Sequence, residues 1–207
     1  MGQLVTDTGD PRTLLTVGKT AVQRGFPLDR HAFPTLGIPA FEPVGGRIER
    51  AMVYAITRQE STFDPAAQSS AGARGLMQLM PGTAKRTAKR FGIEFDLGQL
   101  LDPAYNVKLG VAHLGELMDD WKGSHLLMFA SYNAGGGNVS KWIKAYGDPR
   151  SPNVDPIDWI ERIPFSETRN YVQRVMENLL VYRSRLIERS ASARPDEQIE
   201  LQPDPVP

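Results

Sequence analysis

The sequence predicts a mainly α-helical domain. Apolar residues recur at spacings of three and four from Ile48 to Leu186, and glycine and proline interrupt these stripes where helices should start and stop. No segment keeps up the alternation of a strand; at most Leu76 to Met80 reads as extended, because Pro81 biases the residue before it. A chain of 207 residues supports one sizeable domain with room for appended segments.

Residues 1–46 read as a linker or the tail of a preceding helical module. Leu14 to Arg24 can form a short helix, after which Pro27, Pro34, Gly37, Pro39, Pro43, Gly45 and Gly46 break any regular pattern. The main domain spans 47–189. Its first helix carries Ile48, Met52, Ile56 and Glu60 every four residues, with Ala55 on the same face. A second helix starts at Pro81-Gly82-Thr83 and ends near Phe91-Gly92.

Asp102-Pro103 is an N-cap with proline in the first turn, and Val107, Val111, Leu114, Met118 and Trp121 form the stripe behind it. His125 to Ala134 is a short apolar helix stopped by three glycines. Asn138 is the expected cap of the next, which places Val139, Trp142, Ile143 and Tyr146 on one face and stops at Gly147. Asp155-Pro156 opens a short helix to Ile163. Ser166 caps the last, whose stripe is Val172, Val175, Leu179, Tyr182 and Leu186. The polar, proline-containing tail 190–207 is expected to be disordered.

Composition excludes several function classes. Lysine plus arginine balance aspartate plus glutamate at 24 each, so no basic surface speaks for a nucleic-acid partner. No run approaches the ~18–20 apolar residues of a membrane span. With no cysteine, disulfides, thiol nucleophiles and thiolate metal sites are out, and His31, His113 and His125 lack metal-ligand spacing; neither a metal nor a cofactor is expected. Met1 to Asp10 shows no basic stretch followed by an apolar one, so no signal peptide is visible.

Glu60 continues an inward-facing stripe. Partial burial disfavours an ionised carboxylate and raises its pKa, which makes it a candidate proton donor. The competing reading is a helix-end glutamate paired to Arg58 or Arg74. Asp64, one turn on, sits beside Glu60 and not across a sugar from it, so it is a poor nucleophile for this acid; Asp64-Pro65 also reads as an ordinary turn.

Ser69 lies in a small-residue loop as a possible donor or a solvated serine. Met77 and Met80 read as groove lining or core. Tyr132 and Asn133 before the glycines are either a helix end or a polar wall suited to sugar faces and hydroxyls. Glu167 fits the first turn of its helix, where the dipole favours a negative charge.

Four blocks carry a resemblance over roughly Ile48 to Arg183. These are Arg58-Gln59-Glu60-Ser61 with Phe63 and Pro65; Gly75 to Ala84; Tyr132-Asn133-Ala134-Gly135; and Ile163 to Arg169 with Tyr171-Val172. In this order they resemble the catalytic domain of the soluble lytic transglycosylases, lysozyme-like enzymes that cut peptidoglycan. The resemblance implies a lysozyme-like helical domain with a saccharide-binding groove. It implies Glu60 as the catalytic acid, and Ser69, Gln78, Met80, Tyr132, Asn133 and Glu167 as groove residues.

It also implies peptidoglycan glycan strands as the partner and the periplasm as the location; protein partners are not legible. The implied reaction is cleavage between N-acetylmuramic acid and N-acetylglucosamine with a 1,6-anhydro product. Asp64 departs from the asparagine common in relatives, and Gly136 from a proline. Only about 46 residues precede the domain, where the soluble enzymes carry a long helical superstructure. A goose-type lysozyme-like hydrolase and a non-catalytic peptidoglycan-binding module are the alternatives.

Overall fold

The computed structural model describes residues 9–42, 44–46 and 48–192. In chain order the helices are α1 (Pro11–Gln23), α2 (Asp29–Ala32), α3 (Arg50–Glu60), α4 (Pro81–Arg90), a 3-10 turn (Gly98–Leu101), α5 (Pro103–Asp120), α6 (His125–Ala134), α7 (Gly136–Tyr146), α8 (Pro156–Glu161) and α9 (Ser166–Ser192). Among the described residues the only β pairing is two isolated bridges, Gln68 with Arg74 and Arg74 with Leu79.

α3 is the central element. Ala51 to Thr57 are all buried, including Val53 and Tyr54, which lie off the stripe that the spacing singled out. A helix apolar on every side needs cover on every side. α9 supplies most of it through Val172, Val175, Leu179 and Tyr182. Tyr54 stacks on Tyr182 with ring centroids 5.2 Å apart, and Phe33 meets Tyr182 edge-on at 5.6 Å. α5 and α6 complete the main core with Val107, Val111, Leu114, Leu127, Met128 and Phe129. A smaller core of Leu79, Ala84, Ala88, Leu100 and Leu109 sits under α4, and Tyr132 packs against both.

The amino-terminal part has more regular structure than its prolines predict. Pro11 opens α1 behind the Asp10 cap, whose carboxylate accepts the Arg12 and Thr13 amides at 3.3 and 3.0 Å. α1 crosses α2 at Gly18, where a Cβ would lie 2.1 Å from the Ala32 nitrogen, so only glycine allows this approach.

Two local expectations are corrected. Asn138 does not cap α7; Gly135 holds that place, and the Asn138 amide donates to the Ala134 carbonyl at 2.8 Å. Leu76 to Met80 is not extended throughout: Gly75 to Gln78 turn, closed by Gln78 N–H to the Gly75 carbonyl at 3.1 Å. α9 continues past Arg189 to Ser192; beyond that, the expected disordered tail lies outside the described residues.

Candidate active site

Glu60 is the last residue of α3, held at the end of a helix in which Ala51 to Thr57 are all buried. Desolvation pushes its carboxyl up to about 7, and the negative charge of Glu167 adds to the rise; hydrogen bonding toward the Tyr171 hydroxyl works against it. In this conformation the Tyr171 hydroxyl closes no hydrogen bond of regular geometry, although it is buried. Tyr171 and Glu167 lie one turn apart on α9, so α3–α9 packing alone delivers both to the acid. Tyr132 also senses the Glu60 charge, behind its own burial.

The residues at α3's end are tied down separately. Ser61 Oγ donates to the Leu76 carbonyl at 2.7 Å, joining the acid's helix to the loop of residues 66–80. Arg58 is not the partner of Glu60. Its Nε donates to the Ala32 carbonyl at 3.0 Å, its Nη1 to Asn178 Oδ1 at 2.9 Å, and its guanidinium lies 4.1 Å from the Phe33 ring centroid. Asp64 pairs with Arg12 of α1 at 2.6 Å, so it is engaged away from Glu60.

The loop is held from beneath by Asn106 of α5. Its Oδ1 accepts the Met77 amide at 2.8 Å, and its Nδ2 donates to the Arg74 and Leu100 carbonyls at 2.9 and 2.8 Å. Gly75, at φ +75°, lies so close that a Cβ would sit 2.4 Å from Asn106 Nδ2. Met77 is wholly buried against Gly110 and belongs to the core, whereas Met80 is 43% exposed.

Gln78, at φ +47°, spends its side-chain amide hydrogens on the Ala67 and Gly75 carbonyls, at 3.1 and 2.9 Å, which leaves Oε1 as an acceptor. Ser69 Oγ accepts the Ala73 amide at 3.0 Å and keeps its own proton to give.

On the other side, Tyr132 donates to the Met77 carbonyl at 2.7 Å, and its ring packs 5.6 Å from that of His113. It joins α6 to the loop, a role that neither sequence reading, helix end or polar wall, contained. His113 Nδ1 lies 3.1 Å from Glu116 Oε2, which also accepts from Thr87 at 2.9 Å. Asn133 Oδ1 accepts from Thr168 Oγ1 at 2.6 Å, which fixes its amide.

Tyr171, Asn106 and Thr168 are the neighbours sequence reasoning gave no role. Tyr171's place one turn after Glu167 was a readable signal; nothing local marks Asn106. A cavity of about 340 Å³ lined by Phe41, Glu42, Tyr105 and Lys108 shares no residue with the site, so cavity size does not mark it. No group of three or more His, Asp or Glu among the described residues is placed to hold a metal.

Residues 44–153 match the family model for the transglycosylase SLT domain. The chain belongs to the transglycosylase SLT family. Residues 162–190 also match the soluble lytic transglycosylase helical domain, so that model takes in nearly all of α9. The chain is similar to the soluble lytic murein transglycosylase of Escherichia coli strain K12, with 40% identity over 141 residues, covering 67% of this chain and 21% of the relative.

Among solved SLT structures, the 70 kDa soluble lytic transglycosylase of Escherichia coli superposes with a TM-score of 0.73 at 32% identity, over 89% of this chain and 30% of that one. An inactive glutamate-to-glutamine mutant of the Pseudomonas aeruginosa lytic transglycosylase Slt gives 0.61 at 37% identity, over 85% and 24%. The helical architecture is therefore that of the lysozyme-like SLT fold. The chain spans about a fifth of the length of the curated relative.

Proposed function

We propose that this chain is a lytic murein transglycosylase that cleaves the β-1,4 bond between N-acetylmuramic acid and N-acetylglucosamine. The observation that carries the reading is Glu60, whose carboxyl is raised to about 7 by desolvation at the end of a buried helix. Such an acid holds a proton near neutral pH and can give it to the glycosidic oxygen. The muramoyl 2-acetamido group stabilises the cation that develops at C1. Glu60, now ionised, takes the proton of the C6 hydroxyl as that oxygen closes on C1, leaving a 1,6-anhydro ring. The attacking hydroxyl is already tethered to the reacting sugar, so the closure gains from proximity.

The groove residues follow from their free hydrogen-bonding groups. Ser69 offers a proton, Gln78 an acceptor and Asn133 its amide hydrogens, while Met80 gives exposed thioether surface. Glu167 lies one turn from Tyr171 on α9; its charge adds to the desolvation that keeps Glu60 protonated, and its carboxylate can accept from sugar hydroxyls. The domain layout is that of an amino-terminal segment to about 46 followed by a catalytic domain over 47–189, and a murein substrate puts the protein in the periplasm.

One observation favours the hydrolase reading as a second choice: a carboxylate close enough to act on Glu60 is a candidate for activating water. Mass spectrometry of the products from purified sacculi separates the two. Products lighter by one water than hydrolysed sugars are expected; products carrying a free reducing end would replace the transglycosylase reading with the hydrolase.

A further inference from the structure

Tyr105 and Asn106 are consecutive residues near the start of α5. Asn106 holds the loop beside Glu60 from beneath. Tyr105 lines the cavity of about 340 Å³, with Phe41, Glu42 and Val44 of the segment before α3 and Ala104 and Lys108 of α5. The cavity therefore forms where that segment meets the start of α5, one residue along the chain from the support of the loop. Its volume falls within the ~300–1,000 Å³ of small-molecule sites.

Both aromatic walls are held from outside the cavity. The Tyr105 hydroxyl accepts the Asp96 amide at 2.9 Å and donates to the Glu94 carbonyl at 2.8 Å, so the residue offers the cavity its ring alone. Phe41 carries the Arg50 guanidinium 5.6 Å from its ring centroid, and Arg50 in turn donates to the Ile38 carbonyl at 3.3 Å. Glu42 and Lys108 are exposed. Neither makes an ion pair or a side-chain hydrogen bond among the described residues, although both border the same cavity.

A ligand for this cavity must suit two aromatic rings and two free charges of opposite sign. An anion meets the Glu42 carboxylate, a cation meets the Lys108 ammonium, and a wholly apolar molecule replaces none of the hydrogen bonds those groups make to water. A neutral pyranose satisfies all of them. Its C–H face packs on an aromatic ring, its hydroxyls donate to Glu42, and an acetamido oxygen accepts from Lys108. We propose that the cavity is a second saccharide site, separate from the groove at Glu60, that takes one neutral N-acetylhexosamine residue of a glycan strand. This rests on the transglycosylase reading and extends it, since it gives the chain a hold on the glycan apart from the point of cleavage.

The test follows backbone amide resonances of the whole chain as N-acetylglucosamine is added. The amides of Phe41, Ala104, Tyr105 and Lys108 should shift together along one saturating curve. Glu42→Ala with Lys108→Ala should weaken that binding about tenfold, as two hydrogen bonds are lost. Ala104→Trp, which fills the cavity, should abolish it. The amides of Gln78 and Tyr132 in the groove should respond alike in all variants, and melting curves verify that each is folded. Cavity amides that do not move, or shifts that survive the double alanine or Ala104→Trp, overturn the proposal. So does saturation of the cavity by zwitterionic phenylalanine where the sugar has no effect. The masses of products from purified sacculi test the transglycosylase reading separately, since the cavity takes no part in the chemistry.

Discussion

Asn106 Oδ1 accepts the backbone N–H of Met77 at 2.8 Å, so a side chain of α5 sets the path of the loop beside Glu60. The same amide serves the Arg74 and Leu100 carbonyls, which satisfies three buried backbone groups with one residue.

Asn106→Ala should therefore destabilise the protein by ~2–4 kcal/mol, because the Met77 N–H and the Leu100 carbonyl lose their partner in a dry setting, while the Arg74 carbonyl keeps the Leu79 N–H. Asn106→Asp should not rescue it, since a carboxylate would face two carbonyl oxygens. Urea unfolding with an unchanged m-value measures the loss.

Gly75→Ala attacks the same contact from the other side. It strains a φ of +75° and drives a methyl into Asn106. A loss of ~2–4 kcal/mol is expected, together with weaker glycan binding as Gln78 and Met80 shift.

Glu60→Gln should abolish turnover and stabilise the fold at alkaline pH. The folded carboxyl titrates at about 7 against the ordinary 4.5 of a glutamate in water, so the folded chain binds more protons between these limits. Its stability contribution is intact below about 4.5, declines as pH rises, and above about 7 is a full penalty. The variant lacks that penalty, so it should exceed the wild type by roughly 1–3 kcal/mol at pH 8, discounted for partial exposure, and by little at pH 4. Melting curves across pH give the comparison. Activity should fall as pH rises through about 7, where Glu60 loses its proton.

Tyr171→Phe removes the group whose hydrogen bonding holds the Glu60 pKa down. The alkaline limb of kcat/KM should move to higher pH, while kcat drops about tenfold as the acid loses its orientation. An unmoved limb would show that the hydroxyl does not act on Glu60.

Arg58→Lys keeps the charge and loses the fork and the stacking on Phe33. A cost of ~1–3 kcal/mol is expected, with faster amide exchange across α1 and α2 than across α6.

The helices were legible because local rules decide them. Asp102, Asp155 and Gly147 sit at the ends where their capping chemistry places them. Asn138 misled because a glycine at φ +82° was free to take the cap one turn earlier. The acid was legible as the last inward position of a stripe. Its surroundings were not, because Tyr171 and Glu167 reach it only through α3–α9 packing, and helical periodicity does not specify which helices meet. Arg58 next to Glu60 in sequence suggested a pair; the two side chains leave the helix in different directions, and Arg58 finds Ala32 and Asn178.

The bond from Arg58 to Asn178 spans 120 residues of chain. Part of the desolvation that raises the Glu60 pKa, and the whole contribution of Glu167, depend on the same long-range closure of α9 on α3. A nascent chain that has not yet released α9 exposes Glu60 to water as an ordinary surface glutamate, ionised and unable to donate. On the transglycosylase reading, competence to cut the wall therefore waits on the docking of α9, the same event that completes the core.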